Sequence, residues 1–184
     1  LKPYVPAGDC LVALTADWAG RIWWASLAGL VGVVEPSTGA VAVLDLGEEI
    51  INGLTVDETG IYVVTDRALR KLVTGPDGVP TTSWRAEYDR GSQTKPGQLN
   101  RGSGSTPVVL DQALVAITDN ADPAMRVVFF EAATGREICS RAVFEKDASA
   151  SESGLVSMGS GVVVANTYGQ RGWRSTVLGR AGAR

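Results

Sequence analysis

The side chains able to do chemistry in this 184-residue chain are 20 carboxylates, 17 Lys and Arg, two thiols and a set of amides and hydroxyls; there is no histidine. Without histidine, the Ser-His-Asp and Cys-His nucleophile systems and every His-ligated zinc, copper or haem site are excluded. What remains is carboxylate chemistry, an oxygen-ligated calcium or magnesium, a Lys or Tyr base, or binding without catalysis. The run Asp119-Asn120-Ala121-Asp122-Pro123 groups three oxygen-bearing side chains in four residues and could contribute to a calcium shell of six to eight oxygens. It lacks the Gly and closing Glu of an EF-hand loop, and the same pattern fits an Asx-turn before a proline. The stretch Asp89 to Ser105 offers Arg90, Lys95, Asn100 and Arg101 to an anionic ligand; its bland alternative is a solvated polar insertion. Gly102-Ser103-Gly104-Ser105 has no base to activate a serine, and the glycines at 91, 97, 102 and 104 lack the GK[ST] and following helix of a phosphate loop.

Charge and composition narrow the classes further. A net charge of −3 with no long basic block argues against a nucleic-acid partner. Cys10 and Cys139 stand far apart with no CxxC, so they form neither a zinc knuckle nor a thioredoxin-type motif; one disulfide or two buried thiols are both open. The longest mostly apolar run, Ile22 to Val34, is broken by Ser26, Gly29 and Gly32 and falls short of the roughly 20 residues that span a bilayer, so no membrane span is expected. The chain opens at Leu1 and not Met, which suggests a removed leader or an excised piece of something longer.

The elements that must position these residues are strands. No window shows sustained 3.6-residue apolar spacing, whereas short Val-, Ile-, Leu- and aromatic-rich runs bounded by turn residues recur thirteen times at roughly ten-residue intervals. The turns Glu35-Pro36-Ser37-Thr38-Gly39, Asp57-Glu58-Thr59-Gly60, Gly75-Pro76-Asp77-Gly78 and Ala133-Thr134-Gly135 place Gly where positive φ is needed. The runs fall into repeated four-strand units, strands A to D, whose B strands start near 22, 61, 114 and 162; spacings of roughly 40 to 50 residues are those of propeller blades. Strand A of the first unit is the weakest, and an Asp closing strand B repeats as Asp66 and Asp119. The A-to-B and C-to-D turns are tight, while the B-to-C and D-to-A links collect the long loops, so the latter face is the better place for a site.

The segments EPSTGAV, NGLTVDETGIYVVTD and EAATGREI resemble blades of quinoprotein-like and lactonase-like propellers of the senescence-marker or gluconolactonase type. Ser83 through Asn166, with WRAEYDRGSQTKPGQ, GSGSTP, VAITDNADP and Asn166-Thr167-Tyr168-Gly169, also resembles a family of uncharacterised secreted bacterial propeller proteins. The lactonase resemblance implies a calcium ion held by Asn52 of the Asn-Gly turn, with Glu48 or Glu49, Asp119 and Asn166 as companions, polarising a lactone carbonyl. The quinoprotein resemblance implies a planar cofactor clamped by one of Trp18, Trp23, Trp24, Trp84 or Trp173. Trp23 and Trp24 are adjacent in a strand, so one faces each side of the sheet and blade packing claims at least one of them.

The expectation is therefore an all-β chain of antiparallel four-stranded propeller blades, about three and a half of them, over 11–46, 51–88, 105–144 and an incomplete 153–184, in one domain. Its expected role is a non-catalytic ligand-binding or interaction module. Arg90, Lys95, Asn100, Arg101, Asp119, Asn120, Asp122 and Asn166 are the candidate ligand contacts, and Glu49, Asn52, Asp119 and Asn166 the candidate calcium ligands. A calcium-dependent lactonase and a truncated fragment without activity are the alternatives. Secretion is the expected localisation. Because propellers close with typically four to eight blades, three and a half cannot seal a ring, and a second copy or further blades must complete it.

Overall fold

The computed structural model describes residues 3–170; the end of the fourth expected blade, with Trp173 and the far end of the Thr167–Gly172 loop, lies outside the described residues. The chain forms β1 (Leu11–Ala16), β2 (Ile22–Ser26), β3 (Leu30–Glu35) and β4 (Ala40–Asp45); β5 (Thr55–Asp57), β6 (Gly60–Val64), β7 (Ala68–Thr74) and β8 (Pro80–Glu87); β9 (Val108–Leu110), β10 (Leu114–Thr118), β11 (Arg126–Glu131) and β12 (Glu137–Ala142); and β13 (Val156–Met158) with β14 (Gly161–Val163). Each group is an antiparallel meander in chain order, three four-stranded blades and a described pair of the fourth. The first strand, the weakest in the sequence, is a full six residues, paired with β2 from Leu11↔Ser26 to Ala16↔Ile22 around a bulge. Asp66 and Asp119, expected to close the B strands, sit in the following loops.

Side-chain alternation along a strand explains why the inner strands read as unbroken apolar runs. In β6, Ile61 and Val63 face the first blade, where they join Trp23, Ala25, Val31, Val33, Ile50 and Leu72 in one core. Tyr62 and Val64 face the third blade and pack with Leu69, Val115, Ile117, Val128 and Phe130. Ala116 and Val127 turn the other way, toward Leu155, Val162 and Val164 of the fourth. A sheet buried on both faces has no polar side, so periodicity alone could not separate these strands from buried helices; their length and turn residues did. Each such fully buried aliphatic or aromatic side chain contributes about 1.5–3 kcal/mol.

The two ends of the stack differ from the interior. Trp24, Gly32 and Val43 are cross-strand neighbours on the side of the first blade away from the second, with Leu14 beside them. Trp24 lies flat on Gly32, where a Cβ would come within 2.1 Å of the indole, but Leu14 is 65% exposed. On the far side of the fourth blade, Val156 pairs with Val163 and shares a face with Met158; they are 62%, 50% and 71% exposed. Cys10 and Cys139 are separate exposed thiols, which answers both sequence alternatives: they are neither bridged nor buried.

Candidate functional site: a strap across the long-loop face

The A-to-B and C-to-D connections are short turns on one face, and the long links gather on the other, as the repeat pattern requires. The dominant feature of that second face is the segment from Asp89 to Ser105, which carries no regular structure and joins β8 to β9. It is held down along its whole length. Arg90 bonds Asp66 at 2.9 Å, and the Ser92 amide donates to Asp122 at 2.7 Å. Lys95, 7% exposed, donates to the Ala121 carbonyl at 2.6 Å and stands 3.6 Å from the Asp122 carboxylate. The Leu99 amide donates to Glu152 at 2.9 Å, the Asn100 amide group to Glu49 at 2.6 Å, and the Gly169 amide to the Pro96 carbonyl at 2.8 Å. The strap therefore touches the loops of all four blades.

Asn120 is its central pin. Fully buried, its Nδ2 donates to the carbonyls of Arg90 and Gln93 at 3.0 Å each and faces that of Arg101 at 3.4 Å, while its own backbone N–H bonds the Asp89 carbonyl. Close packing against the Asn120 carbonyl explains Gly91: at φ +60 it adopts a left-handed conformation, and a Cβ would sit 2.2 Å from that oxygen. Asp119 beside it accepts the Ala121 amide at 3.2 Å, which is the Asx-turn the sequence allowed, and takes the Arg126 amide and guanidinium at 2.6 and 2.7 Å. Burial drives the Asp119 carboxyl above the ordinary carboxylate range, against the pull of the Arg126 hydrogen bonds. Burial likewise raises Glu152. Under the strap, Asn120 Oδ1, Arg90 Nε and Thr118 Oγ1 are buried without a protein partner among the described residues.

The sequence candidates are thus brought to one face, but most are engaged with the protein itself. Arg90, Lys95, Asn100, Asp119, Asn120 and Asp122 all fasten the strap or its footing. Asn166 ties the next link, accepting from the Ala150 and Tyr168 amides and donating to the Ala148 carbonyl. Only Arg101 is exposed with no hydrogen bond or ion pair from its side chain among the described residues. For calcium, Asn52 donates to the Ser103 carbonyl at 2.8 Å, Glu49 accepts from Asn100 and Asp119 from Arg126. The four ligand candidates are each engaged with separate protein partners and not with one another, which does not fit a shared oxygen shell of six to eight donors. Among the described residues no group of three or more His, Cys, Asp or Glu is disposed to hold a metal.

Two polar clusters were not read from the sequence as such, although Glu48 of the first was named there as a calcium candidate. Glu48 accepts from Thr65 at 2.6 Å and from Arg70 and Arg85 at 2.9 and 3.0 Å, clamping the first interblade link to the second blade. Between the second and third blades, the Ala132 carbonyl receives Lys71 Nζ and Trp84 Nε1, both at 3.1 Å, with the Tyr62 hydroxyl at 3.4 Å. Tyr62 also donates to Asp57 at 2.6 Å, and Lys71 stands 3.8 Å from that carboxylate and 5.0 Å from the Tyr62 ring centre. Burial opposes ionisation of Asp57, but the Tyr62 and Thr59 hydrogen bonds and the Lys71 charge outweigh it and hold the carboxyl low. Burial also lowers Lys71 and raises Tyr62. The first blade repeats the device with Asp17, which accepts Trp23 Nε1 at 2.8 Å and Arg21 Nε at 2.7 Å. In the first two blades the readable signal was an Asp opening the A-to-B turn, Asp17 and Asp57, followed by an aromatic early in strand B.

This architecture is that of a β-propeller sector. The chain resembles the crystal structure of BamB from Moraxella catarrhalis, with a TM-score of 0.55 and 21% identity over 84% of this chain and 41% of that one. It also resembles a quinoprotein alcohol dehydrogenase-like protein from Bacteroides thetaiotaomicron, at a TM-score of 0.45 and 16% identity over 73% of this chain and 33% of that one. In sequence it is 37% identical over 139 residues to an uncharacterised protein of Archaeoglobus fulgidus, covering 70% of this chain. The chain spans only 27% of that relative's length. No protein-family model matches.

Proposed function

We propose that this chain is a sector of a larger β-propeller that serves as a rigid interaction scaffold, its end faces covered by further blades and its strap-bearing face presented to a ligand. The carrying observation is the pair of unfinished ends: Leu14 at one and Val156, Met158 and Val163 at the other are half or more exposed on sheet faces whose opposite sides are closed cores. The inner strands β6 and β10 of the interior blades are buried along nearly their whole length, so the exposed apolar side chains at the ends fit an interface for a neighbouring blade. The share of BamB matched, well under half, supports the same reading. On the strap face the fixed polar side chains give a preorganised surface, and Arg101, exposed and without a side-chain partner among the described residues, is suited to an anionic group.

Dye binding tests the unfinished ends. A naphthalene-sulfonate probe should fluoresce on the isolated chain, and Leu14→Lys combined with Val163→Lys should reduce that signal at least severalfold while the β-sheet circular dichroism is kept. Fluorescence no greater than that of a closed globular protein contradicts the proposal.

A further inference from the structure

A row of three cross-strand neighbours holds equivalent places in the first two blades. In the second, Tyr62 pairs with Lys71 and Lys71 with Trp84; in the first, Trp23 pairs with Val33 and Val33 with Ala42. The carboxylate opening each A-to-B turn fixes the equivalence, since Asp57 accepts from Tyr62 and Asp17 from Trp23. At the junction of the second and third blades, large side chains fill the space between this row and the next C-to-D turn. Trp84 donates to the Ala132 carbonyl, and a Cβ on Gly135 would sit 2.5 Å from its indole.

At the junction of the first and second blades, Val33 and Ala42 stand at the places of Lys71 and Trp84, and the facing turn is Gly75–Val79. Gly78 of that turn matches Gly135: both take positive φ, and each donates its N–H to the carbonyl that opens the turn, of Gly75 and Glu131 respectively. A Cβ on Gly78, however, would meet no atom within 4 Å. The two smaller side chains leave a groove of about 590 Å³, with Val33, Ala40 and Ala42 on one wall and the turn on the other. Small-molecule sites run to roughly 300–1,000 Å³, so the groove is of that size. Its charge is one-sided. Arg21 is already paired with Asp17, whereas Glu35 and Asp77 carry no ion pair among the described residues.

We infer that this groove binds a free aromatic cation, a flat ring such as indole carrying a protonated amine. The ring takes the place over Gly78 that the Trp84 indole holds over Gly135, against the apolar wall of Val33 and Ala42. The ammonium pairs with Glu35 and Asp77, which selects a cation over an anion of the same shape. Both walls are interior to the arc and lie toward the short-turn face, so the site is separate from the strap and from whatever covers the ends.

The test is calorimetric titration of the full chain with tryptamine at pH 7. Saturable one-to-one binding is expected, at least tenfold tighter than for indole-3-acetate, which lacks the cation, or for butylamine, which lacks the ring. Ala42→Trp supplies an indole from the strand itself, as Trp84 does in the second blade, and should abolish binding with the thermal transition kept. Glu35→Gln combined with Asp77→Asn retains acceptors for the Ser37 and Val79 amides and should weaken tryptamine binding at least tenfold. That pair decides the matter should the tryptophan disturb the blade. No saturation at millimolar tryptamine, equal affinity for indole-3-acetate, or binding unchanged in either folded variant overturns the inference.

Discussion

At the residue scale, the polar groups of this chain act mainly on each other. Asp57 is the clearest case, because it accepts from Tyr62 and Thr59 and faces the buried Lys71. Its folded-state pKa is depressed, so its contribution is fully present above the unfolded value of about 4 and is lost as pH falls through the folded value. Asp57→Asn should therefore cost about 1–3 kcal/mol at pH 7, where it strands Lys71 and weakens the Tyr62 bond. The gap between variant and parent should narrow as urea unfolding is repeated from pH 7 down to pH 3. A gap that stays constant over that range refutes the electrostatic role. The cluster as a whole was hidden from sequence reading because Asp57, Tyr62 and Lys71 meet across strands, and the Ala132 carbonyl, which accepts from Tyr62 and Lys71, belongs to the next blade. The candidates that were read, such as Arg90 and Asn120, were correctly grouped by chain proximity, but residue type alone does not say whether a guanidinium meets a ligand or the protein's own Asp66.

At the element scale, turns and strands were legible because turn chemistry is local. Gly39, Gly78 and Gly135 do take positive φ at the C-to-D turns, as their neighbours in sequence implied. Gly135 has a second reason that no local pattern carries: a Cβ there would sit 2.5 Å from the Trp84 indole of the preceding blade. The strap illustrates the same limit. A polar, Gly-rich stretch reads as solvated, yet Lys95, Ser103 and Ser105 within it are buried, and its anchors lie on four separate blades. Asn120→Ala removes the shared donor to the Arg90, Gln93 and Arg101 carbonyls. Amide exchange over Asp89–Ser105 should rise at least tenfold, for a loss of about 1–3 kcal/mol, while the β6 and β10 amides stay as protected as before. Unchanged exchange in the strap would show that Asn120 is not its pin.

At the scale of the whole molecule, the sequence repeat anticipated the blade order, and its expected count of about three and a half blades underlies the proposal that further blades complete the ring. What it could not show is where the open faces lie. That depends on which side of each sheet meets a neighbour, and in strands apolar on both sides the pattern is symmetric. The structure leaves Leu14 at one end and Val156, Met158 and Val163 at the other half or more exposed, with three interblade cores between them. On the proposed reading, the exposed end faces should associate. Sedimentation equilibrium of the 184-residue chain tests this most directly. Concentration-dependent association that is lost together in Leu14→Lys and Val163→Lys, with folding retained, is the predicted result; a monomer at every concentration, insensitive to both substitutions, would contradict it.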